Sequence, residues 1–452
     1  MMSKQIQLAA NPGVTGWQAI LPPRKTHSEL EGKIDADYLI IGAGFAGLSA
    51  ARRLHQIQPD AKVVILEGCE IGKGPAGRNS GFMIDLPHDL SSQDYAGSAE
   101  NDRQQTAINR SAIEFANDAF REYQMPSEAL KNVGKINAAA TAKGMRFNEN
   151  YADHLINLDE PHTLLNVEDM KKITGTDYYQ GGLWTPGTTI LQPALYISSL
   201  ADGLVGNANI HIFENTSVNE LQKQKNDGGM KKWLAITTKG RVSATKVILA
   251  VNGMVERFGY FQKRLMHVFT YASMSRRLTL SEIKKLGGEQ NWACTSADPM
   301  GTSVRRISGI GGDRLLVRNR ATYDPSMEVS QHRINSVKTD HLKAFKARFP
   351  MLSDVWMDYT WGGRLCLSKN GVFAAGEVDE GLFSACCQNG LGTAKGTAIG
   401  IIAAECASNS DQSLVPDFTM QDPPEKLLPK LLMYLGANSY MRWKEIRAGK
   451  DK

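Results

Sequence analysis

The sequence predicts an α/β protein, α+β overall, in which a domain built on a βαβ unit is joined to a second, strand-rich domain. Three observations carry this expectation. Residues 37–66 read as strand, glycine-rich turn, helix and strand in one contiguous run. Alternating patterns recur between residues 256 and 360, for example Arg314-Leu-Leu-Val-Arg-Asn, as half-buried strands require. The chain has 452 residues, which suits two domains or one domain with a large insertion.

The βαβ unit is the most explicit element. The apolar run Asp37-Tyr-Leu-Ile-Ile41 passes into Gly42-Ala-Gly44-Phe-Ala-Gly47 and then into the helical pattern Leu48–Leu54. A second strand, Lys62–Leu66, ends at Glu67, twenty residues after the third glycine. This is the dinucleotide-binding fingerprint. Gly42 permits the tight turn, Gly44 lets backbone approach a pyrophosphate, and Gly47 lets helix and strand pack closely. The helix N-terminus offers N–H groups and partial positive charge to phosphates, and Glu67 is placed to accept from a ribose diol. Glycines also serve ordinary turns, so it is the whole register of strand, glycines, helix, strand and acid that is specific. The next loop, Ile71–Gly81, is dense in glycine and contains Gly77, Arg78, Asn79 and Ser80. Backbone donors and an arginine there suit an anionic cofactor and favour FAD over a nicotinamide dinucleotide.

Further along, residues 100–125 read as a helix with Ile108, Ala112, Phe115 and Ala119 on one stripe, widened by Ile113, Ala116 and Phe120. Residues 208–250 read as strands broken by the turn Asn226-Asp-Gly-Gly229. In His267-Val-Phe-Thr-Tyr271, period-two alternation puts His267, Phe269 and Tyr271 on one face. A histidine and two aromatics there suit a cage for a substrate amine, and an ordinary half-buried strand explains the same pattern. Arg305, Arg306, Arg318 and Arg320 are candidates to grip a substrate carboxylate, because a guanidinium matches it bidentately.

Composition bounds the class. The chain is 42% hydrophobic and 22% charged, ordinary for a protein with a sizeable core, and its net charge of +5 includes no long Lys/Arg run that would suggest nucleic acid. The six cysteines form no CxxC pair and are too sparse for a disulfide framework. The N-terminus has no continuous apolar segment of the signal-peptide kind. No stretch reaches the roughly 18 apolar residues of a membrane span. The expectation is a cytoplasmic protein with no metal site. Residues Lys426–Arg447 are amphipathic and basic, a pattern that suits an anionic membrane surface as well as packing.

At GAGFAGLSAA, LEGCEIGKGPAGRNSG, KVILAVNG (246–253), TWGGRLCLSKNG (360–371), QNGLGTAKGTAIGIIAAE (388–405) and GANSYMRWKEI (436–446), the sequence resembles the FAD-dependent glycine/sarcosine/D-amino-acid oxidase superfamily. More narrowly, the sequence looks like the γ-glutamylputrescine oxidase-like branch of it. The first two motifs are specific and the later ones loose, but all stand in the family's order.

The resemblance implies a glutathione-reductase-type FAD domain (35–105, 185–255 and 360–420) interleaved with a mainly antiparallel substrate domain (106–184 and 256–359). An extension (1–34) precedes them, and a final helix (421–452) packs on the substrate domain. Gly42, Gly44, Phe45, Ala46, Gly47, Glu67, Gly68 and Val218 would hold the ADP half of FAD. Gly77, Arg78, Asn79 and Ser80 would follow the flavin-proximal half. Asn389, Gly390, Leu391, Gly392 and Thr393 would open a helix facing the flavin's pyrimidine oxygen, where a helix N-terminus stabilises an anion. Small residues from Gly392 to Ala404 suit close packing there.

By the same resemblance, His267, Tyr271, Trp361 and Arg364 would stand beside the flavin. Cys366 lies near the region where some relatives tether FAD covalently; it reads here as a small buried hydrophobe, as does the Cys386-Cys387 pair. Two motifs depart from the family: Pro75-Ala76 stands where a Ser usually precedes GRN, and Gln388-Asn389-Gly390-Leu391-Gly392 replaces Ser-Gly-His-Gly.

The implied activity is oxidation of the C–N bond of an amine or amino acid to an imine by hydride transfer to flavin N5, with oxygen or an electron carrier as acceptor. A γ-glutamylated polyamine, a secondary amino acid such as sarcosine or pipecolate, and a D-amino acid all fit. A flavin monooxygenase using NAD(P)H shares the fingerprint, but its Asp-Gly segment is poorly matched by Gly376–Glu380. A non-catalytic FAD-binding subunit is the third reading.

Overall fold

A computed structural model describes residues 6–87, 92, 96–225, 231–415 and 422–452. The first β-type run lies within the strand Gly32–Ile41, whose last four residues are all buried. It pairs parallel to Gly240–Leu249 on one side and to Val63–Leu66 on the other, and Ile210–Phe213 continues the parallel order. Parallel strands covered on both faces need continuous apolar runs, and Leu39-Ile40-Ile41 and Val63–Leu66 supply them. Gly240–Leu249 pairs with Lys231–Ile236 through its first half and with Leu382–Cys386 through its second. The antiparallel pair Glu220–Lys225 and Lys231–Ile236 brackets the expected turn at 226–229, which lies outside the described residues.

One face of this sheet is covered by the helices Phe45–Ile57, Pro193–Leu204 and Ala394–Ser408 in a single apolar cluster. The helix Ala99–Glu122 joins the same cluster through Ile108, Ala112, Ile113, Phe115, Ala116 and Ala119. Its stripe was read correctly from the sequence. Its residues beyond 105, however, pack over the first sheet and not the second, with Arg52 donating to its Phe115 carbonyl (3.0 Å) and to Glu122.

The second sheet has eight strands and is antiparallel except where Trp292–Ser296 runs parallel to Lys135–Ala139. Met357–Ser368 is one of its two edge strands and pairs along its length with Leu265–Ser275. The boundary expected at 360 therefore falls inside a strand of this sheet. The chain returns to the first sheet only after the turn at Gly371 (φ +71°), at Ala374–Asp379. A small third sheet joins Phe82–Met83, Thr189–Leu191 and Leu130–Asn132.

The strand Arg314–Tyr323 pairs with Ser303–Ile307 only as far as Arg318. Beyond that point its edge is taken by the C-terminal helix Lys430–Arg447. Glu445 accepts from Ala321 N (3.0 Å), and Asn438 accepts from Tyr323 N (2.9 Å) and donates to Tyr323 O (3.0 Å). Among the described residues no helix is long and apolar enough to cross a membrane.

The helices Phe45–Ile57 and Ala394–Ser408 cross in close contact. A Cβ on Gly400 would stand 2.2 Å from Ala46 O, and one on Gly396 would stand 3.2 Å from Phe45 Cβ. Gly400→Ala is expected to cost about 1–3 kcal/mol by overpacking, read as a lower denaturant midpoint. An unchanged midpoint would show that the two helices can separate freely.

Candidate active site

A cavity of about 300 Å³ lies between the two large sheets. It is built first from the βαβ turn. Gly42 adopts φ +106°, and a Cβ there would come within 2.6 Å of Ala250 O. A Cβ on Gly47 would stand 1.9 Å from Gly42 O, so the helix can sit on the turn only because residue 47 is glycine. Gly44 is the N-cap of Phe45–Ile57 and has no side chain to cap it, so first-turn donors face the cavity. Glu67 closes the strand end: its carboxylate accepts from Ala43 N (2.8 Å), Cys69 N (3.1 Å) and Cys69 Sγ (3.1 Å). Burial, and then the Glu67 charge, push the Cys69 thiol far above its usual range.

Gly42, Gly44, Phe45, Ala46, Glu67, Gly68, Asn79, Ser80 and Val218 all line this cavity. At its other end Gly390, Leu391, Gly392 and Thr393 line it. Here too the helix Ala394–Ser408 lacks a side-chain cap, because the Thr393 hydroxyl donates to Phe82 O (2.7 Å) instead. A Cβ on Gly392 would meet nothing within 4 Å, so the chain there borders open space.

Four of the expected cofactor residues sit beside the cavity and serve the backbone. Gly47 packs on Gly42. A Cβ on Gly77 would clash with Gly72 O at 1.9 Å. Asn389 (φ +47°) ties the turn by accepting from Ser368 N (2.8 Å) and donating to Gly371 O and Val372 O (both 2.9 Å). Arg78 is buried and turned away from the cavity, donating to Gly362 O (2.8 Å), Gly13 O (2.7 Å) and Pro12 O. Burial, with Arg364 nearby, lowers its pKa to about 10.

Of the four expected catalytic residues, the structure brings only Arg364 to the cavity. It donates to Asn11 Oδ1 (3.0 Å) and Met327 O (3.4 Å), and burial lowers its pKa to about 10. Trp361 is buried and donates to Arg78 O (3.0 Å). His267 and Tyr271 share one face of Leu265–Ser275, as their spacing requires, but it is Thr270, on the opposite parity, that lines the cavity. His267 pairs instead with Glu256 (2.6 Å). Tyr271 stacks on Phe269 (6.4 Å between centroids) and bonds Thr322 (2.6 Å). The expected aromatic cage is therefore a packed layer behind the strand.

The four candidate carboxylate-gripping arginines separate in the same way. Arg305 donates to Ser80 O, Gly81 O and Leu191 O. Arg306 donates to Gly287 O and Glu289 O and pairs with Asp313. Arg320 pairs with Asp340 and Glu445. Arg318 lines the cavity, with Thr270, Thr295, Ser296 and Ser303 beside it on the second sheet. Cys366 also lines the cavity, buried, with Cys387 Sγ 3.7 Å from its carbonyl.

Sequence reasoning missed the N-terminal segment. Ile6, Leu8, Ala9 and Asn11 line the cavity, held by Ile6 N on Asn219 O (2.9 Å) and by Gly362 N on Pro12 O (3.0 Å). It also missed Gln388, Thr295, Ser296 and Ser303.

Two uncapped helix N-termini, a glycine cradle and an acid at the end of the second strand are the parts that a flavin dinucleotide needs, and together they define a flavoprotein-type site. Comparison with known proteins agrees. Residues 37–406 match the DAO family, described as FAD dependent oxidoreductase. The chain belongs to that family and is an FAD-dependent oxidoreductase.

The chain is 24% identical over 393 residues to a protein named Probable oxidoreductase OrdL from Haemophilus influenzae, covering 84% of each. It is 23% identical over 366 residues to Gamma-glutamylputrescine oxidoreductase from Escherichia coli, covering 78% of this chain and 79% of that one. Among solved structures, glycine oxidase from Geobacillus kaustophilus has the same fold, with a TM-score of 0.66 at 16% identity, covering 84% of this chain and 96% of that one. L-Amino acid deaminase from Proteus myxofaciens gives 0.64 at 15% identity, covering 87% and 94%.

Arg78→Met removes the donor to three main-chain carbonyls. It is expected to cost about 2–4 kcal/mol and to raise hydrogen exchange in residues 6–13 selectively. Unchanged exchange there would show that Arg78 does not tether the segment.

Proposed function

We propose that this protein oxidises the C–N bond of an amine that also carries a carboxylate, giving an imine that water hydrolyses. The observation that carries the reading is Arg318: of the four arginines on neighbouring strands, it alone lines the cavity, where Thr295, Ser296 and Ser303 also lie. A guanidinium matches a carboxylate bidentately. The names of the relatives support the same chemistry, since γ-glutamylputrescine, glycine and L-amino acids all combine an amine with a carboxylate.

In this reading the residues that hold FAD are Gly42, Gly44, Phe45, Ala46, Glu67, Gly68 and Val218 at the ADP half. Asn79, Ser80, Gly390, Leu391, Gly392 and Thr393 hold the flavin half. Bound FAD supplies the acceptor for the hydride that leaves the carbon beside the nitrogen. The chain's part is to orient and to exclude water. Arg318 anchors the substrate carboxylate, the apolar Phe82 and Ile84 wall the cavity, and the N-terminal segment from Ile6 to Asn11 covers it. The N-terminus of Ala394–Ser408 favours negative charge at its end of the cavity. Glu67 is the sole carboxylate among the described lining residues, and it is held by backbone at the far end, so the amine would have to bind neutral.

The test is anaerobic flavin absorbance of the purified holoprotein against γ-glutamylated polyamines, secondary amino acids and D-amino acids, with NADPH alongside. A carboxylate-bearing amine is expected to bleach the flavin. Arg318→Met should raise the concentration for half-bleaching about 100-fold, as loss of one charge-paired contact does, while leaving an amine without a carboxylate unaffected. Bleaching by NADPH alone would replace this reading with a monooxygenase. Admitting air after bleaching separates oxygen from another electron carrier as acceptor.

A further inference from the structure

We propose that the C-terminal helix Lys430–Arg447 docks the protein on an anionic lipid bilayer. The helix lies outside the 37–406 region that defines the family. Its inner face is fully engaged: Asn438 and Glu445 complete the edge of Arg314–Tyr323, and Glu445 is almost wholly buried. The outer face is apolar. Leu431, Leu432, Leu435, Trp443 and Ile446 are 69%, 60%, 57%, 49% and 65% exposed. Their spacing places all five on one side of a helix. An isolated exposed leucine needs no explanation, but five large apolar side chains on one side of one helix do.

The charges identify what covers the stripe. Glu445 is the only acidic residue of the helix and faces inward, so every exposed charge of the helix is basic: Lys430, Arg447 and Arg442, which also pairs with Glu445 (3.0 Å), with Lys444 half-buried beside them. The Arg447 guanidinium lies 4.8 Å from the Trp443 ring centre and the Lys444 ammonium 5.3 Å from that of Tyr440. Aromatic rings bearing cations, beside leucine and isoleucine, are the side chains of an interfacial helix, whose apolar face enters the acyl boundary while basic groups reach the headgroups. A second copy of the chain suits the face poorly, because a twofold contact would set this patch against itself and bring its arginines and lysines together. Anionic lipid supplies the opposite charge.

The test is flotation of the full-length holoprotein with vesicles. It is expected to float with phosphatidylcholine vesicles containing about one-third phosphatidylglycerol, and to do so at least about tenfold less with pure phosphatidylcholine or in high salt. The double variant Leu432→Glu/Trp443→Glu should lose flotation by about tenfold or more. Its flavin absorbance and melting temperature should stay unchanged, since both side chains point away from the protein. Wild type that stays unfloated, or a double variant that floats equally well, overturns the proposal. A concentration-dependent dimer that the double variant abolishes would overturn it in favour of a contact between copies. None of these readouts depends on amine oxidation, so the two proposals fail separately.

Discussion

The close crossing of the helices Phe45–Ile57 and Ala394–Ser408 sets the geometry on which the rest of the site depends. The two helices are more than three hundred residues apart in the chain, yet their N-terminal ends line one cavity. They can do so only if their axes approach closely, and Gly396 and Gly400 against Phe45 and Ala46 allow that. Neither helix carries a side-chain cap. A cap is ordinarily worth about 1 kcal/mol, so leaving both ends open costs stability in exchange for two sets of donors aimed into the same space. An anionic dinucleotide repays that cost when it binds.

Around this crossing, buried arginines weld distant segments together through main-chain carbonyls. Arg305 reaches Ser80, Gly81 and Leu191, and Arg78 reaches Pro12, Gly13 and Gly362. Burial lowers their pKa values to about 9 and 10, the electrostatic expense of removing a guanidinium from water. Carbonyl oxygens in several directions offset it. The result is a loop at 77–81 fixed from the N-terminal segment, from the second sheet and from its own Asn79, which accepts from Gly81 N (2.7 Å). A cavity wall made of loop backbone needs such fastening, because it has no ladder of its own.

These fastenings also explain what the sequence disclosed. The βαβ unit was legible because strand, glycines, helix and acid are contiguous and each has one physical task. The mainly antiparallel second sheet was legible through alternation. The roles of single polar residues were not, because they depend on facts set by tertiary pairing. His267 and Tyr271 have the right chemistry for a substrate cage, but the sheet presents Thr270's parity to the cavity. Arg305, Arg306, Arg318 and Arg320 look alike in sequence, and only the tertiary placement of their strands brings Arg318 and not the other three to the cavity. The N-terminal segment carries no pattern at all, since residues 6–13 adopt no regular structure and are held through partners hundreds of residues away.

The strand Arg314–Tyr323 connects the inside of the molecule to its surface. Its first half pairs with Ser303–Ile307 and ends at Arg318 on the cavity. At Arg320 the backbone takes φ +68°, and the second half turns its free edge to the C-terminal helix. Glu445 serves both parts of that joint, accepting from Ala321 N and pairing with Arg320 at 3.4 Å. The helix is therefore anchored two residues along the strand from the side chain proposed to hold substrate. An anchor so close to the site needs a buried, fully engaged carboxylate, because a helix seated loosely there would let the strand shift and Arg318 with it. The helix's single acidic residue faces inward and closes that joint.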